Sequence, residues 1–407
     1  MKKQLSLKKT VLYILFVAAL CALFSVFTLA AKPSVPEVTG IKITGKTSTA
    51  VSLEWTVKGK ASGYRIYRYY PETKKYKQLK NQKSRKYTVK SLTPGEYYVF
   101  AVRPYVESGK NTLNGSYKKK IAYTPLDPVT KITQKTTEPT SHRLSWTKVR
   151  GADYYEIWYY KKEKGGFVRL SGGSLKNSCN MTRLNPASVY KYKVRAVSVA
   201  SNGKFIYSKL SSAFTAVTSV PQVQSFKATA VTTEGYKLTW KAIPNVQAYY
   251  LYRFDNTTGE YDLITACNKP EYTVNGKESA ERDSYCVKAY AVVNGKKMYG
   301  DMSDILDAST KPESVSLYKG EGDLIGNKKV ILEWDECEKA DGYFIYMSKD
   351  PDSGFTLKKE ITSPQTLSAV IERLENRTPY YFRIKSYVTV NNEYVLSESS
   401  NTVRTFA

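Results

Sequence analysis

The chain has 407 residues, 42% hydrophobic and 24% charged, with 63 Lys and Arg against 36 Asp and Glu and a formal net charge of +27. A chain of this length holds roughly two to four domains, and this balance excludes a disordered tail, a collagen-like fibre and a polytopic membrane protein. Rings are supplied mostly by 35 Tyr, against 13 Phe and 5 Trp; an apolar body with a wet tip suits half-buried sheet faces, so an all-β chain is favoured.

Lys2, Lys3, Lys8 and Lys9 precede an uncharged apolar run from Val11 to Ala31, the order of a secretory signal. An N-terminal hydrophobic signal or anchor helix is therefore expected over residues 1–31. Thr28, Leu29 and Ala30 offer small residues for cleavage before Ala31, and the run is also long enough to span a bilayer with its lysines inside. Cleavage and membrane anchoring through residues 11–31 both stay open; either way the remainder is expected outside the cytoplasm, secreted or tethered at the membrane. Cys21 follows Leu20 instead of a small residue, so lipidation is not expected.

Beyond the leader, Leu53-x-Trp55, Leu144-x-Trp146, Leu238-x-Trp240 and Leu332-x-Trp334 recur at nearly even spacing. After each Trp follows Tyr, an aliphatic and an aromatic residue: Tyr64, Ile66 and Tyr67, then the sets ending in Trp158, Tyr252 and Tyr346. A third element centres on Val102, Val194, Val287 and Ile384, each next to Arg or Lys. Alternation in stretches such as Tyr98-x-Phe100-x-Val102 predicts strands, and Asn202-Gly203 and Asn294-Gly295 predict hairpins with type I′ turns. Prolines mark short junctions, which divide the chain into repeats at 33–125, 126–218, 219–310 and 311–407.

These repeats resemble fibronectin type III modules, seven-stranded relatives of the immunoglobulin sandwich. The resemblance rests on the opening prolines (Pro36, Pro128, Pro221, Pro312), the Trp of the second strand, the Tyr-x-Ile/Leu of the third, and the approach of Leu92-x-Pro94 to Tyr98 and of Leu184-x-Pro186 to Tyr190. It implies an all-β chain of four tandem fibronectin type III β-sandwiches, with a tyrosine corner at Tyr98 and Tyr190. The fourth repeat keeps Leu374 and Tyr380 but has Asn376 for the proline. The third puts Asp283 at the corner, and is expected to be the loosest.

No catalytic pattern accompanies the repeats, so no enzyme is expected. His142 is the one histidine and reads as solvated among Ser and Arg. Cys179, Cys267, Cys286 and Cys337 show no C-x-x-C and no neighbouring histidine, so no metal or cofactor is expected. Cys267 and Cys286 share a repeat, where free thiols fit better than a disulfide, and sparse cysteine suits a bacterial exported protein. Acidic residues around Trp334 read as a charged loop.

Two surface features stand out. From first to last repeat, Lys+Arg against Asp+Glu run 19 to 5, 16 to 5, 10 to 11 and 13 to 15. The excess positive charge therefore lies in the two repeats nearest the leader, where anionic envelope lipids and wall polymers would attract it. With Tyr64 and Ile66 inward, Tyr67, Trp158, Tyr252 and Tyr346 point outward, beside Arg103, Lys193, Arg195, Lys288, Arg383 and Lys385 on the neighbouring strand. These ten residues are the candidate ligand surface. The expected function is a non-enzymatic rod presenting or spacing a binding surface at a bacterial cell envelope, with an extracellular protein as partner. The alternative is an accessory protein that binds wall polymer or polysaccharide through this face; no nucleic acid is expected, given export.

Overall fold

The computed structural model describes residues 34–320 and 328–406, so the signal or anchor helix expected at residues 1–31 lies outside the described residues. Among the described residues all regular structure is strand apart from a single 3-10 turn, Lys162–Lys164. Eight sheets alternate along the chain, one three-stranded and one five-stranded for each repeat. The first repeat contains β1 (Glu37–Thr47), β2 (Ala50–Lys58), β3 (Gly63–Tyr70), β4 (Lys75–Gln82), β5 (Lys86–Val89), β6 (Tyr97–Ser108), β7 (Asn111–Asn114) and β8 (Lys118–Tyr123). Its sheets run β1-β2-β5 and β4-β3-β6-β7, with β8 also paired to β6. The third and fourth repeats reproduce both paths, strand for strand.

The described residues form two compact units: residues up to 132 with 146–177 and 192–213, and residues 133–145 with 178–191 and 214 onward. The five-stranded sheet of the second repeat thus belongs mostly to the first unit and its three-stranded sheet to the second.

Alternation accounts for the cores. Leu53 and Trp55 on β2, Tyr64 and Ile66 on β3, and Phe100 and Val102 on β6 share one phase of their strands and are all buried in a single cluster. Trp240 and Trp334 sit in separate clusters of their own. Each Trp meets the following Tyr at a steep ring angle: Trp55 with Tyr64 at 5.4 Å, Trp146 with Tyr155 at 5.3 Å, Trp240 with Tyr249 at 5.3 Å and Trp334 with Tyr343 at 5.5 Å. Edge-on contact suits the ring quadrupoles and fixes how far apart the strands stand.

The corners form as the resemblance implied. The Tyr98 hydroxyl accepts the Thr93 N–H at 2.8 Å, Tyr190 that of Asn185 at 2.7 Å, and Tyr380 that of Glu375 at 3.0 Å. In the third repeat a buried polar knot stands there instead. One Asp283 oxygen accepts hydrogen bonds from Tyr236 at 3.0 Å and Tyr285 at 3.1 Å and pairs with Lys277 at 2.7 Å, while Lys277 also pairs with Glu281 at 2.7 Å. The repeat that has lost its corner has cross-linked the same end of the sandwich through a carboxylate.

The turn at Asn294-Gly295 has positive φ at both residues, 51° and 75°, as type I′ requires. At Asn202-Gly203 only Gly203 has positive φ, 75°, and the strands stop at Val199 and resume at Phe205, so this loop is longer than the two-residue hairpin the sequence suggests.

The last strand of each repeat is interrupted, which leaves amides of the preceding long strand without a ladder partner. Serine hydroxyls accept them: Ser208 from Ala196 at 2.9 Å, Ser211 from Val194 at 3.0 Å, Ser303 from Val287 at 3.0 Å, and Ser400 from Ile384 at 2.9 Å. In the first repeat Pro104 has no N–H to satisfy, and Gly115 occupies the place of the first serine.

Candidate functional site

The outer face of each five-stranded sheet carries the residues singled out from sequence. On the long central strand Lys193 lies directly across from Trp158 and Arg383 from Tyr346, whereas Tyr67 is opposite Ala101 and Tyr252 opposite Cys286. None of the ten side chains lies bare. Tyr67 is buried and the other nine are half-buried.

The covering differs from repeat to repeat. In the first, Tyr117 packs edge-on to Tyr67 at 5.1 Å, Arg103 lies over the Tyr117 ring at 4.9 Å, and the Arg103 Nε–H donates to the Gly115 carbonyl at 2.7 Å. Burial, and then the Tyr117 hydroxyl, push the Tyr67 phenol up from its ordinary range. In the second, Arg195 stands over Trp158 at 5.3 Å and over Tyr207 at 4.2 Å, while Lys193 covers Phe167 at 4.7 Å. In the third, Lys288 bridges Tyr252 at 5.2 Å and Tyr299 at 5.3 Å. In the fourth, Arg383 lies over Phe355 at 4.1 Å and donates through Nε to the Thr402 hydroxyl at 2.8 Å. Tyr346 is half-buried, which raises its phenol. Lys385 stands opposite Phe344, and its charge assists Lys311 in holding the Glu398 carboxyl below the usual range. Rings and cations are thus layered on each other along the sheet, a cation of the same chain lying over Trp158 and Tyr252 and over at least one covering ring in every repeat.

Sequence reasoning missed the second row of rings, Tyr117, Phe167, Tyr207, Tyr299 and Phe355, because they come from strands or loops with no shared motif. It also missed Glu156. Alternation places this carboxylate on the outer face, yet it is 1% exposed, accepting from Arg195 Nε and from an Arg169 terminal nitrogen, each at 2.6 Å. Its opposite residue in the ladder is Arg195, so a cross-strand charge pair was the available signal.

A further expectation is overturned. His142 is not solvated: it is 1% exposed, because it shares the inward phase of its strand, Ser141–Ser145, with the buried Leu144. Its ring meets Tyr190 edge-on at 5.9 Å, and burial draws its pKa below the ordinary histidine value despite a hydrogen bond with the Val217 backbone. The four thiols within the described residues are free; Cys179 is partly exposed and the other three are buried. No cluster of His, Cys, Asp and Glu suited to a metal occurs among the described residues.

The fibronectin type III domain model matches residues 34–116 and 127–209, so fibronectin type III domains are present in tandem in this chain. The third and fourth repeats carry the same sheet order and the same Trp and Tyr positions. The chain is 27% identical to neogenin of Rattus norvegicus over 259 residues, 57% of this chain and 17% of that protein, and 26% identical to neogenin of Homo sapiens over 260 residues, 57% of this chain and 16% of that one. It therefore aligns with only about a sixth of the length of these curated relatives. A two-domain fibronectin type III segment of chicken tenascin is a structural neighbour at 20% identity and a TM-score of 0.37, covering 46% of this chain and all of the segment.

Proposed function

We propose that the chain is a non-enzymatic extracytoplasmic interaction protein whose tandem sandwiches present and space a binding surface at a bacterial cell envelope, the first two repeats making the contact with anionic polymer. The single observation that carries this reading is the distribution of charge: net +14 and +11 on the first two repeats against −1 and −2 on the last two, by the counts of basic and acidic residues above. A polyanion is drawn to the first half of such a chain and not to the second. Tandem fibronectin type III domains support an interaction role, and the chain aligns with neogenin over 259 residues.

The layering of cations on rings favours one form of recognition over another. A sugar ring that stacks on Trp158 would have to displace Arg195, which is tied to Glu156 at 2.6 Å. Contact through charge needs no such displacement. The ten-residue face accordingly serves as a basic surface more than as a bare stacking platform.

The test is retention of the full chain on purified bacterial wall polymer over a range of salt. Binding that weakens steeply with salt and is lost when lysines and arginines of residues 33–218 are reversed in charge is the expected result. Retention that ignores salt would end this reading, and loss on substitution of Trp158, Tyr252 and Tyr346 alone would restore ring stacking in its place.

A further inference from the structure

Arg68 is the last residue of β3 paired with β6, on the inward phase of the strand, and its guanidinium is held between two rings, 4.6 Å from that of Tyr70 and 4.6 Å from that of the corner residue Tyr98. The half-buried arginines of the sheet faces have polar partners: Arg65 binds Asn114, Arg103 the Gly115 carbonyl, Arg195 the Glu156 carboxylate and Arg383 Thr402. Arg68 has rings and no hydrogen-bond or salt-bridge partner among the described residues, and its Nε is buried. It lines a cavity of about 680 Å³ within the first unit, together with Tyr69, Thr93, Tyr97 and Ser201.

The fourth repeat shows what belongs at such a place. There Met347 takes the register position of Arg68, and Lys349, two residues on at the position of Tyr70, stands over the corner ring of Tyr380 at 5.9 Å with its ammonium paired at 2.6 Å with Glu375, the residue just after Leu374. In the first repeat the residue just after Leu92 is Thr93, which is exposed and offers no carboxylate. A cation thus lies over the corner ring in both repeats, from strand positions two residues apart, and in the first repeat the carboxylate that follows the leucine is absent while an open cavity adjoins the cation.

The geometry points to an oxyanion-binding site: the cavity takes the carboxylate or phosphate of an acidic sugar unit on Arg68, with the sugar body against Tyr69 and Tyr97. This deepens the proposed recognition of anionic polymer and rests on that reading. A guanidinium presents a planar fork that matches an oxyanion, and pinning between two rings removes much of the freedom it would lose on binding. Lys204 lies over the Tyr97 ring at 5.8 Å and adds positive charge at the rim. Two carboxylates also line the cavity. The Glu96 carboxylate is engaged by its own bonds, accepting from the Ser201 hydroxyl at 2.9 Å and the Tyr97 N–H at 2.7 Å; Glu72 is exposed to solvent. The volume exceeds that of a bare ion and suits a ring that carries one.

Titration of the full chain with glucose 6-phosphate, glucuronate and neutral glucose, followed by NMR, tests the site, alongside retention on wall polymer. The charged sugars should bind and glucose should not, and whichever of the two binds more tightly identifies the oxyanion. Arg68→Gln should weaken binding about tenfold or more, the scale of a charge-assisted hydrogen bond lost. Thr93→Glu should weaken it as much with Arg68 still in place, because it supplies the carboxylate that Glu375 supplies to Lys349; at an exposed position it leaves the fold intact. Equal affinity in wild type and both variants, or equal binding of glucose, overturns the site, and if polymer retention persists the wider reading stands without it. Should the wild-type chain fail to be held by polymer yet bind the acidic sugar through Arg68, the site stands and the polymer reading falls.

Discussion

Replacing Asp283 with Ala removes the acceptor on which the third repeat has rebuilt its corner, and the consequences are set by what each partner retains. Tyr236 and Tyr285 remain bonded to each other at 3.0 Å, so one buried hydroxyl proton is left without an acceptor, while Lys277, 10% exposed, keeps Glu281. One unsatisfied hydroxyl and half of a mostly buried ion pair together cost about 2–4 kcal/mol; Asp283→Asn, which keeps an acceptor of the same shape, costs about 1–2 kcal/mol. For a unit of this size the Ala variant should lower the melting transition of the third repeat by roughly 10–25 °C, read by calorimetry of the full chain. The same knot carries a pH signature. Burial first, and then Tyr285 and Asp283, hold the Tyr236 phenol above its ordinary 10; burial and Asp283 hold Tyr285 up as well, against the hydrogen bond from Tyr236. Groups whose folded pKa is raised contribute stability that is intact below pH 10 and is lost as pH climbs toward the raised values. Alkaline unfolding of the third repeat should therefore set in above pH 10. A melting point for Asp283→Ala within about 2 °C of wild type would refute the assignment of this knot as the replacement for the corner.

Three further outcomes follow from single sites. Glu156→Ala should cost about 2 kcal/mol through its bond to Arg195, with little from the half-exposed Arg169; denaturant unfolding at low and high salt checks it, and a loss that disappears in concentrated salt would mean the pair is effectively solvated. His142 is the one histidine of the chain, and burial lowers its pKa from 6.5, so it contributes stability above pH 6.5 that is lost as pH falls toward the depressed value. Stability measured between pH 7.5 and 5 should fall in wild type and stay nearly flat in His142→Phe, and a histidine NMR titration with its midpoint at 6.5 would contradict the burial. Gly95 has φ +71° and a Cβ there would stand 2.6 Å from the Ser198 side chain, so Gly95→Ala should cost about 1–3 kcal/mol. Gly109→Ala, with φ +58° but open space around it, serves as the comparison, and equal losses in the two would show that the close approach to Ser198 carries no energy.

The sandwich was legible because its determinants are local. Spacing from Trp to the Tyr pair and period-two alternation set which side chains face inward, and the six-residue step from Leu92 to Tyr98 set the corner, without reference to distant chain. Alternation also held the answer for His142, two residues before the buried Leu144, but its polar neighbours Ser141 and Arg143 on the opposite face dominated the reading. Glu156 shows the other kind of gap. Its burial depends on Arg169, from the neighbouring strand Gly166–Arg169, arriving on one side while Arg195 arrives on the other, and no single window of sequence contains all three.

The candidate face was legible as a set of residue types and not as a state of exposure. Period two fixes which face of a sheet a side chain takes, but whether that face is open is decided by the next strands over. Tyr117 covers Tyr67 from within the interruption between Asn114 and Lys118, and Phe355 draws Arg383 from a loop that precedes Thr356–Ile361. What remains available to a ligand is then the charge that internal partners leave unspent. Arg103, Arg195 and Arg383 spend theirs on a carbonyl, a carboxylate and a hydroxyl; Arg68 does not, and Thr93 stands beside its corner ring where the fourth repeat has Glu375. Tandem repeats of one fold thus provide their own controls, because a counter-charge present in one copy and missing from the next marks a vacancy that the fold itself does not require.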